Sequence, residues 1–242
     1  MRETLALMLF LIVVLVGCFT ISSWSTGAYF ERRYYEYLQN YNLTSNIKVN
    51  ILSYKRGWFS SEAVLNAEII HPQKIQLLTL LGINPAAIPR KYTINQHIKH
   101  GPIVYRPDQS YLFVMGLAAI DYEIVLSDEI KKIFHIYNPQ NTYFVFGENI
   151  INFGGSYYTS FQCDQLNAST LNIERKVQFD QLSGNFWTRP YPIAPRITGE
   201  INAENVSFVN DGNAVSAPHI LIHFSQQHVG DNFYFDISAK RN

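Results

Sequence analysis

The 242-residue chain is poor in cysteine and in charged residues. Its two cysteines are Cys18 and Cys163, and Cys18 lies in an apolar segment, so no disulfide can form within the remaining domain. Charged residues make up 16% of the chain, and 19 basic residues balance 19 acidic ones. This neutrality gives no electrostatic reason to expect nucleic acid or an anionic lipid surface as a partner. An exported domain without disulfides must depend on its core or on a partner for stability.

The motifs of common enzymes are also missing. The sequence has no phosphate-binding glycine loop, no Gly-x-Ser-x-Gly elbow, no His-Glu-x-x-His and no paired Cys-x-x-Cys. No histidine stands beside Cys163 to activate its thiol. His219 and His223 fall on one face of a predicted strand, but no cysteine or carboxylate stands at a supporting position. We therefore predict no catalytic residue, no metal and no cofactor.

One apolar run stands out, from residue 5 to residue 24, with no charged residue between Glu3 and Glu31. Twenty helical residues span about 30 Å, the thickness of a bilayer's hydrocarbon core. Trp24 suits the membrane interface. The run predicts a transmembrane anchor at 5–24, preceded by a short cytoplasmic tail at 1–4.

Two other interpretations of this run stay open. A cleaved signal peptide would have a shorter apolar core. The sequence Leu15-Val16-Gly17-Cys18 resembles a bacterial lipobox, which would make the protein a lipoprotein through Cys18. An uncleaved anchor is favoured because the apolar character continues past Cys18. Basic residues do not decide the orientation, but a short N-terminal tail before a long domain is typical of a signal-anchor with its domain exported.

The rest of the chain predicts a β-rich extracytoplasmic domain over residues 45–242, preceded by a juxtamembrane helix at 27–41. In that helix Phe30, Tyr34, Tyr37, Leu38 and Tyr41 form an aromatic stripe at helical spacing. Sixteen Tyr, sixteen Phe and repeated period-two alternation predict strands. The expected fold is mainly β, an antiparallel curved sheet or open sandwich. Short helices are expected at Gln73–Leu81 and after Ser127.

A hairpin is predicted across Arg56-Gly57, since glycine readily adopts turn conformations. Arg56 with Trp58 and Phe59 places a cation and two aromatic rings at this turn. These side chains could form a contact site through cation–π stacking. The favoured interpretation is that Arg56 and Trp58 fix the geometry of the hairpin.

Three short motifs resemble a known family. They are an aromatic-x-Thr-Gly sequence with Trp24 and Gly27 followed by Glu31, a turn of Arg56, Gly57, Trp58, Phe59, Ser60 and Ser61, and the triplet His100, Gly101 and Pro102. Their order and spacing over residues 1 to about 105 resemble the YdgA-like bacterial family of unknown function. The resemblance implies an inner-membrane anchor, a periplasmic and largely β domain, and no established enzyme activity. Members of that family are usually about twice as long, so this chain resembles a short member.

His97 and His100 are three residues apart, which places them on opposite faces of a strand. A shared metal ion is therefore not expected. Only His100 belongs to a family motif, and its predicted role is to cap the turn before Gly101-Pro102.

These observations lead to three functional hypotheses. The first is a non-catalytic envelope protein in the periplasm that binds a protein partner or forms a homodimer through sheet edges or the anchor. The second is binding or transfer of a lipid or another apolar ligand on the curved sheet. The third, and least favoured, is an enzyme centred on His100 with Asp108 or Asp121.

Overall fold

The structure is a computed structural model, and it describes residues 2–44, 47–70, 89–105, 113–133, 142–169, 175–189, 196–210, 213–229 and 232–241. These segments form one long N-terminal helix, a ten-stranded antiparallel sheet, a two-stranded sheet and one short helix. The predicted mainly β fold with an N-terminal apolar helix is confirmed.

Helix α1 runs without interruption from Arg2 to Thr44. It joins the apolar run and the juxtamembrane segment, which the sequence presents as two elements, into one rod of about 65 Å. The apolar side chains of its first half are exposed, from Leu7 at 61% to Val16 at 60%. Among the described residues α1 is the one helix long and apolar enough to cross a membrane.

The second half of α1 buries one narrow stripe. Ser23, Gly27, Phe30 and Tyr34 are buried on it, and their three- and four-residue spacing places them on one helix face. Phe30 and Tyr34 confirm part of the predicted aromatic stripe. Tyr37 belongs to the same stripe by spacing, but it is 58% exposed and does not contribute to the buried part.

Twelve strands follow α1 along the chain. Their bounds are β1 Ile47–Arg56, β2 Ser60–Ile69, β3 Lys91–His100, β4 Ile103–Tyr105, β5 Phe113–Met115, β6 Ala118–Val125, β7 Tyr143–Ile151, β8 Tyr157–Ser169, β9 Arg175–Arg189, β10 Arg196–Asn210, β11 Asn213–Val229 and β12 Asn232–Arg241. A short helix α2, Asp128–Ile133, separates β6 from β7. The hydroxyl of Ser127 accepts a hydrogen bond from the Ile130 amide at its start, as an N-cap does.

The large sheet has the strand order β1-β2-β3-β6-β7-β8-β9-β10-β11-β12, and all its neighbours are antiparallel. Strand order thus follows chain order, except that β4 and β5 leave the sheet as a separate hairpin. The sheet stays open and does not curl. Of the two predicted architectures, a single sheet rather than a sandwich is formed by the described strands.

The two faces of this sheet differ. We call the side that carries α1 the helix face and the other side the polar face. On the helix face, Phe30 and Tyr34 of α1 pack into a core with side chains of β2, β3 and β6. That core contains Ala63, Leu65, Ile98, Ala118 and Ile120. The core therefore lies between the second half of α1 and the first four strands of the sheet, β1, β2, β3 and β6.

The outer edge of β1 is covered by the end of α1. The side-chain amide of Asn42 donates to the Val49 carbonyl oxygen at 2.8 Å and accepts from the Val49 amide at 2.7 Å. A register shift between Ile51 and Ser53 further interrupts this edge. Both features hinder the addition of another strand.

Some predictions lie outside the described residues. These are the helix at Gln73–Leu81 and the candidate residue Asp108. The hairpin across Arg56-Gly57 is confirmed by the antiparallel pairing of β1 with β2.

Candidate functional site

The three sequence motifs meet at one place, where α1 crosses the end of β3 and the β1–β2 turn. Ser23 and His100 are 77 residues apart, yet the Ser23 hydroxyl donates to the His100 carbonyl oxygen at 3.0 Å. The amide of His100 also donates to the Phe59 carbonyl oxygen at 3.0 Å, which joins the end of β3 to the turn. We call this meeting point the helix–sheet junction. It contains residues of all three motifs.

The imidazole of His100 lies at the centre of the helix–sheet junction and is 3% exposed. Its Nδ1 lies 3.3 Å from the Ser23 carbonyl oxygen, and its Nε2 lies 3.2 Å from the Ser61 hydroxyl. Because the ring bridges α1 and β2, its contacts are with the helix and the sheet, whereas the sequence suggested a role in capping a turn. A neutral ring satisfies both contacts when Nδ1 carries the proton.

Burial lowers the pKa of His100 below its usual 6.5, and the nearby Arg56 lowers it further, while hydrogen bonds with the Ser23 and Ser60 backbone oppose the shift. The unfolded chain therefore takes up a proton at a higher pH than the folded chain. We expect the stability that neutral His100 provides to be complete above pH 7 and to be lost as the pH falls below 6.5. Thermal unfolding measured from pH 8 to pH 5 tests this expectation. A His100→Gln variant should show a flatter pH dependence, and an identical slope in both proteins would contradict it.

Two glycines permit this close packing. A Cβ on Gly27 would lie within 2.8 Å of Cε1, Nδ1 and Nε2 of the His100 ring. Gly101 has a φ of +142°, a conformation that other residues rarely adopt, and a Cβ there would approach the Ser23 hydroxyl to 2.9 Å. Each glycine of the motifs therefore has a steric reason in the structure.

Charged and aromatic side chains cover the outer side of the helix–sheet junction. Arg56 donates from Nη1 to Glu31 at 2.8 Å, and its guanidinium carbon lies 5.4 Å from the centroid of the Trp24 ring. Both charged side chains are about two-thirds buried. The cation–π contact considered for Arg56 is thus made with Trp24 of the helix, and the ion pair ties the β1–β2 turn to α1.

We expect Arg56→Gln to cost about 1 kcal/mol, because it removes a partly exposed ion pair and a cation–π contact. Equilibrium unfolding of the full chain in detergent measures this loss. The matched control is Arg32→Gln, since Arg32 pairs with Glu36 at 3.3 Å on the exposed side of the same helix. An equal loss of unfolding free energy in the two variants would contradict the prediction that the contacts of Arg56 with Glu31 and Trp24 stabilise the protein.

The remaining motif residues lie at the rim. Phe59 is 49% exposed and stacks on Phe19 of α1, with the ring centroids 6.1 Å apart, whereas Trp58 is 61% exposed. The amide of Gly57 donates to the Ser60 carbonyl oxygen at 2.8 Å and closes the turn. Pro102 accepts through its carbonyl oxygen from the Gly116 amide at 3.3 Å. Phe59 thus lies against the apolar half of the helix, and the exposed rings of Trp58 and Phe59 are of the kind found at membrane interfaces.

Sequence reasoning missed several residues of this contact. Ser23 is buried and bonds to β3, and the Tyr34 hydroxyl donates to Gln96 in the same strand. Desolvation raises the pKa of Tyr34 well above its usual range, so it stays a neutral donor. The four-, three- and four-residue spacing of Ser23, Gly27, Phe30 and Tyr34 was the available signal, but it begins inside the segment assigned to the membrane.

The chemical capacity of the helix–sheet junction is limited. Ser61 and His100 form a serine–histidine pair, but Ser61 is 1% exposed and the ring is covered by Gly27. Asp121 lies elsewhere, on the polar face in an ion pair with Lys99 at 2.8 Å. The described residues contain no group of three or more His, Cys, Asp or Glu side chains that could hold a metal ion. The arrangement is suited to fastening a helix to a sheet.

Comparison with known proteins identifies a family. A family described as "Bacterial protein of unknown function (DUF945)" matches residues 1–235. The match extends far beyond the three motifs in the first 105 residues. No curated protein and no solved structure matches the chain significantly.

Proposed function

Because the chain belongs to this bacterial family of unknown function, we propose its role from the structure. It is a non-catalytic, membrane-anchored envelope protein that holds an open sheet beside the membrane and self-associates through the free edge of that sheet. The YdgA-like resemblance of its three motifs supports the same assignment.

The proposed location is the bacterial inner membrane, with the N-terminus in the cytoplasm and the domain in the periplasm. The support is the exposed apolar surface of α1, where side chains such as Leu9 and Ile12 are 60% exposed or more. Surface of this kind is unfavourable in water and favourable in lipid. Proteolysis of intact and permeabilised cells tests the orientation, because a periplasmic domain is cleaved only after the outer membrane is opened.

The helix–sheet junction supports a rigid connection between anchor and sheet. The helix leaves the apolar segment without a break and is bonded to β3 through Ser23 and to β1 through Asn42. These two contacts lie 19 residues apart on the helix, about 28 Å. A rod held at two such points cannot swing freely, so the sheet keeps a fixed orientation to the membrane.

Burial of the Ser61–His100 pair supports a role without catalysis. A nucleophile must be reached by its substrate, and both side chains are at most 3% exposed. The hydrogen bonds of His100 to two different elements explain its presence without a reaction.

The proposal of self-association is supported by a difference in regularity between the two edges of the sheet. The β1 edge is interrupted by Asn42 and by a register shift, as described above. Strand β12 pairs with β11 over ten consecutive residue pairs, Ile220–Val229 with Asn232–Arg241, with no register shift. Among the described strands it ends the sheet. A regular edge that no other described strand pairs with favours strand addition, and two copies related by a twofold axis can pair β12 with β12.

Cysteine crosslinking of the full chain in detergent tests this pairing. Ser238 is exposed on β12, so a Ser238→Cys variant in a Cys18→Ala background should form a dimer with a short bismaleimide. The matched control is Asn50→Cys on β1, which is also exposed. The background protein keeps only Cys163, which is 3% exposed, and should stay monomeric. Equal crosslinking at both edges, or a monomer by light scattering, would contradict the proposal.

A second candidate function is the binding of an apolar ligand such as a lipid. Its support is that the apolar character of the helix face continues beyond the part that α1 covers. Half-buried side chains there include Phe161, Phe186, Ile201, Ile222 and Phe224. The open sheet would cover an acyl chain on one side only, so we rank this function second. Native mass spectrometry should show a co-purified lipid if it is correct.

A further inference from the structure

The polar face carries an open cleft of about 580 Å³ near the middle of the sheet, away from both the helix–sheet junction and the β12 edge. One row of register partners crosses it from β6 to β11. In order, each residue opposite the next, the row is Asp121, Glu148, Ser160, Asn185, Glu200 and His223. Because cross-strand partners point to the same face, these side chains form a continuous polar strip.

The strip is more enclosed than an ordinary solvent-facing row. Glu148 is 8% exposed although it lies on the side away from the helix, and Ser160, Asn185 and Glu200 are half-buried. The β4–β5 hairpin contributes to this enclosure, since Val104 packs against Ala119 and Ile150 on the polar face, together with Tyr158. Polar groups that converge in a recess fix the orientation of a bound ligand.

The carboxylates of the strip have ion-pair or hydrogen-bond partners within the protein. Asp121 pairs with Lys99 at 2.8 Å, and Glu200 accepts from the Asn185 amide at 2.8 Å and lies 3.7 Å from His223. These contacts fix the carboxylates as oriented hydrogen-bond acceptors. A ligand of high positive charge would have to compete with them, whereas an uncharged ligand with many hydroxyl groups would not.

Aromatic rings and unused acceptors complete the chemistry. Tyr158 lines the cleft on one side and contacts Trp187, with the ring centroids 4.6 Å apart and the rings tilted by 47°, and Phe146 lines it on the other side. The Oδ1 atom of Asn202 in the cleft wall is buried without a hydrogen-bond partner among the described residues. Amides, hydroxyls and carboxylates beside aromatic faces match the alternating hydroxyls and apolar C–H faces of a pyranose ring.

We propose that this cleft binds an oligosaccharide, with the polar strip hydrogen-bonded to its hydroxyl groups and Tyr158 against a sugar face. The site is separate from the β12 edge, because the described lining residues lie on strands β3 to β10.

Titration of the full chain in detergent with chitotetraose and with maltotetraose tests the proposal. Trp187 is 50% exposed and in contact with Tyr158, so binding should change the tryptophan fluorescence in a saturable way. We expect millimolar or tighter binding of at least one tetrasaccharide. Chitotetraose carries N-acetyl groups and maltotetraose does not, so the two titrations separate amino sugars from neutral hexoses. Spermidine serves as the cationic probe.

Asn185→Ala should weaken tetrasaccharide binding about tenfold, the usual effect of losing one or two hydrogen bonds in a site. Asn66→Ala is the matched control, since Asn66 lies on the polar face of β2 outside the cleft. If Asn185→Ala lowers the melting temperature, Ser183→Ala in the cleft lining replaces it. Saturable binding of spermidine alone, no binding of either tetrasaccharide, or equal weakening by the control would overturn the proposal.

Discussion

We expect Gly27→Val to separate the helix from the sheet. A Cβ at this position overlaps three atoms of the His100 ring, and a β-branched side chain cannot turn its methyl groups away in the narrow space between α1 and β3. The ring cannot move either, because it is held by Ser23 and Ser61. The expected loss is about 3 kcal/mol, at the upper end of the usual cost of overpacking. Equilibrium unfolding in detergent and limited proteolysis of the 24–44 region measure it.

The control for this prediction lies in the same helix. A Cβ on Gly17 meets no atom within 4 Å, so Gly17→Val should leave stability nearly unchanged. Both substitutions exchange glycine for valine in a helix and share the same change in helix propensity. If the two variants unfold alike, the close contact between Gly27 and His100 does not contribute to stability.

Alternation along the chain predicted most of the fold because each strand carries its own period-two signal. The hairpin across Arg56-Gly57 and the strand ending at His100 were predicted for this reason, and both are present. The continuity of α1 was not predicted. Ser22 to Gly27 lowers local hydrophobicity and contains a poor helix former, which resembles an element boundary. Gly27 is there to admit the His100 ring, and this reason is visible only in three dimensions.

The composition of the helix–sheet junction was predicted better than its geometry. Sequence motifs singled out Gly27, Arg56 and His100, but their contacts depend on the register of distant strands and on the rotation of the helix. Those quantities are set by tertiary packing and leave no local signal. The same limit explains why Arg56 was assigned to its own hairpin, whereas its partners Glu31 and Trp24 belong to α1.

The polar strip could be predicted even less from the sequence than the helix–sheet junction. Asp121, Glu148 and Glu200 are isolated carboxylates in the sequence, and each belongs to a strand with an ordinary alternation of polar and apolar residues. Only the shared register across β6 to β10 brings them into one row. A site built from one residue per strand has no sequence motif, so its recognition requires the strand order.

The largest loss of stability is expected for Ile98→Ala. Ile98 is 0% exposed in β3 and belongs to the core that joins the sheet to Phe30 and Tyr34 of α1. Removing three carbon atoms there should cost about 2–5 kcal/mol, since the loss of buried apolar surface adds to the cost of a cavity. Denaturant unfolding of the full chain measures the change. Leu52→Ala in β1 is the control and should change stability by less than about 0.5 kcal/mol, because Leu52 is 62% exposed.

Combining Ile98→Ala with Gly27→Val distinguishes a shared core from two separate contacts. Ile98 and His100 lie on the same face of β3, two residues apart, and both face α1. If Gly27→Val already lifts the helix from the sheet, Ile98 loses its contacts with Phe30 and Tyr34 in that variant. The double variant should then be less destabilised than the sum of the single effects, by about 1 kcal/mol or more. Strict additivity would mean that the helix contact at Gly27 and the core around Ile98 stabilise the protein independently. That result would contradict the prediction that helix and sheet form a single cooperative unit.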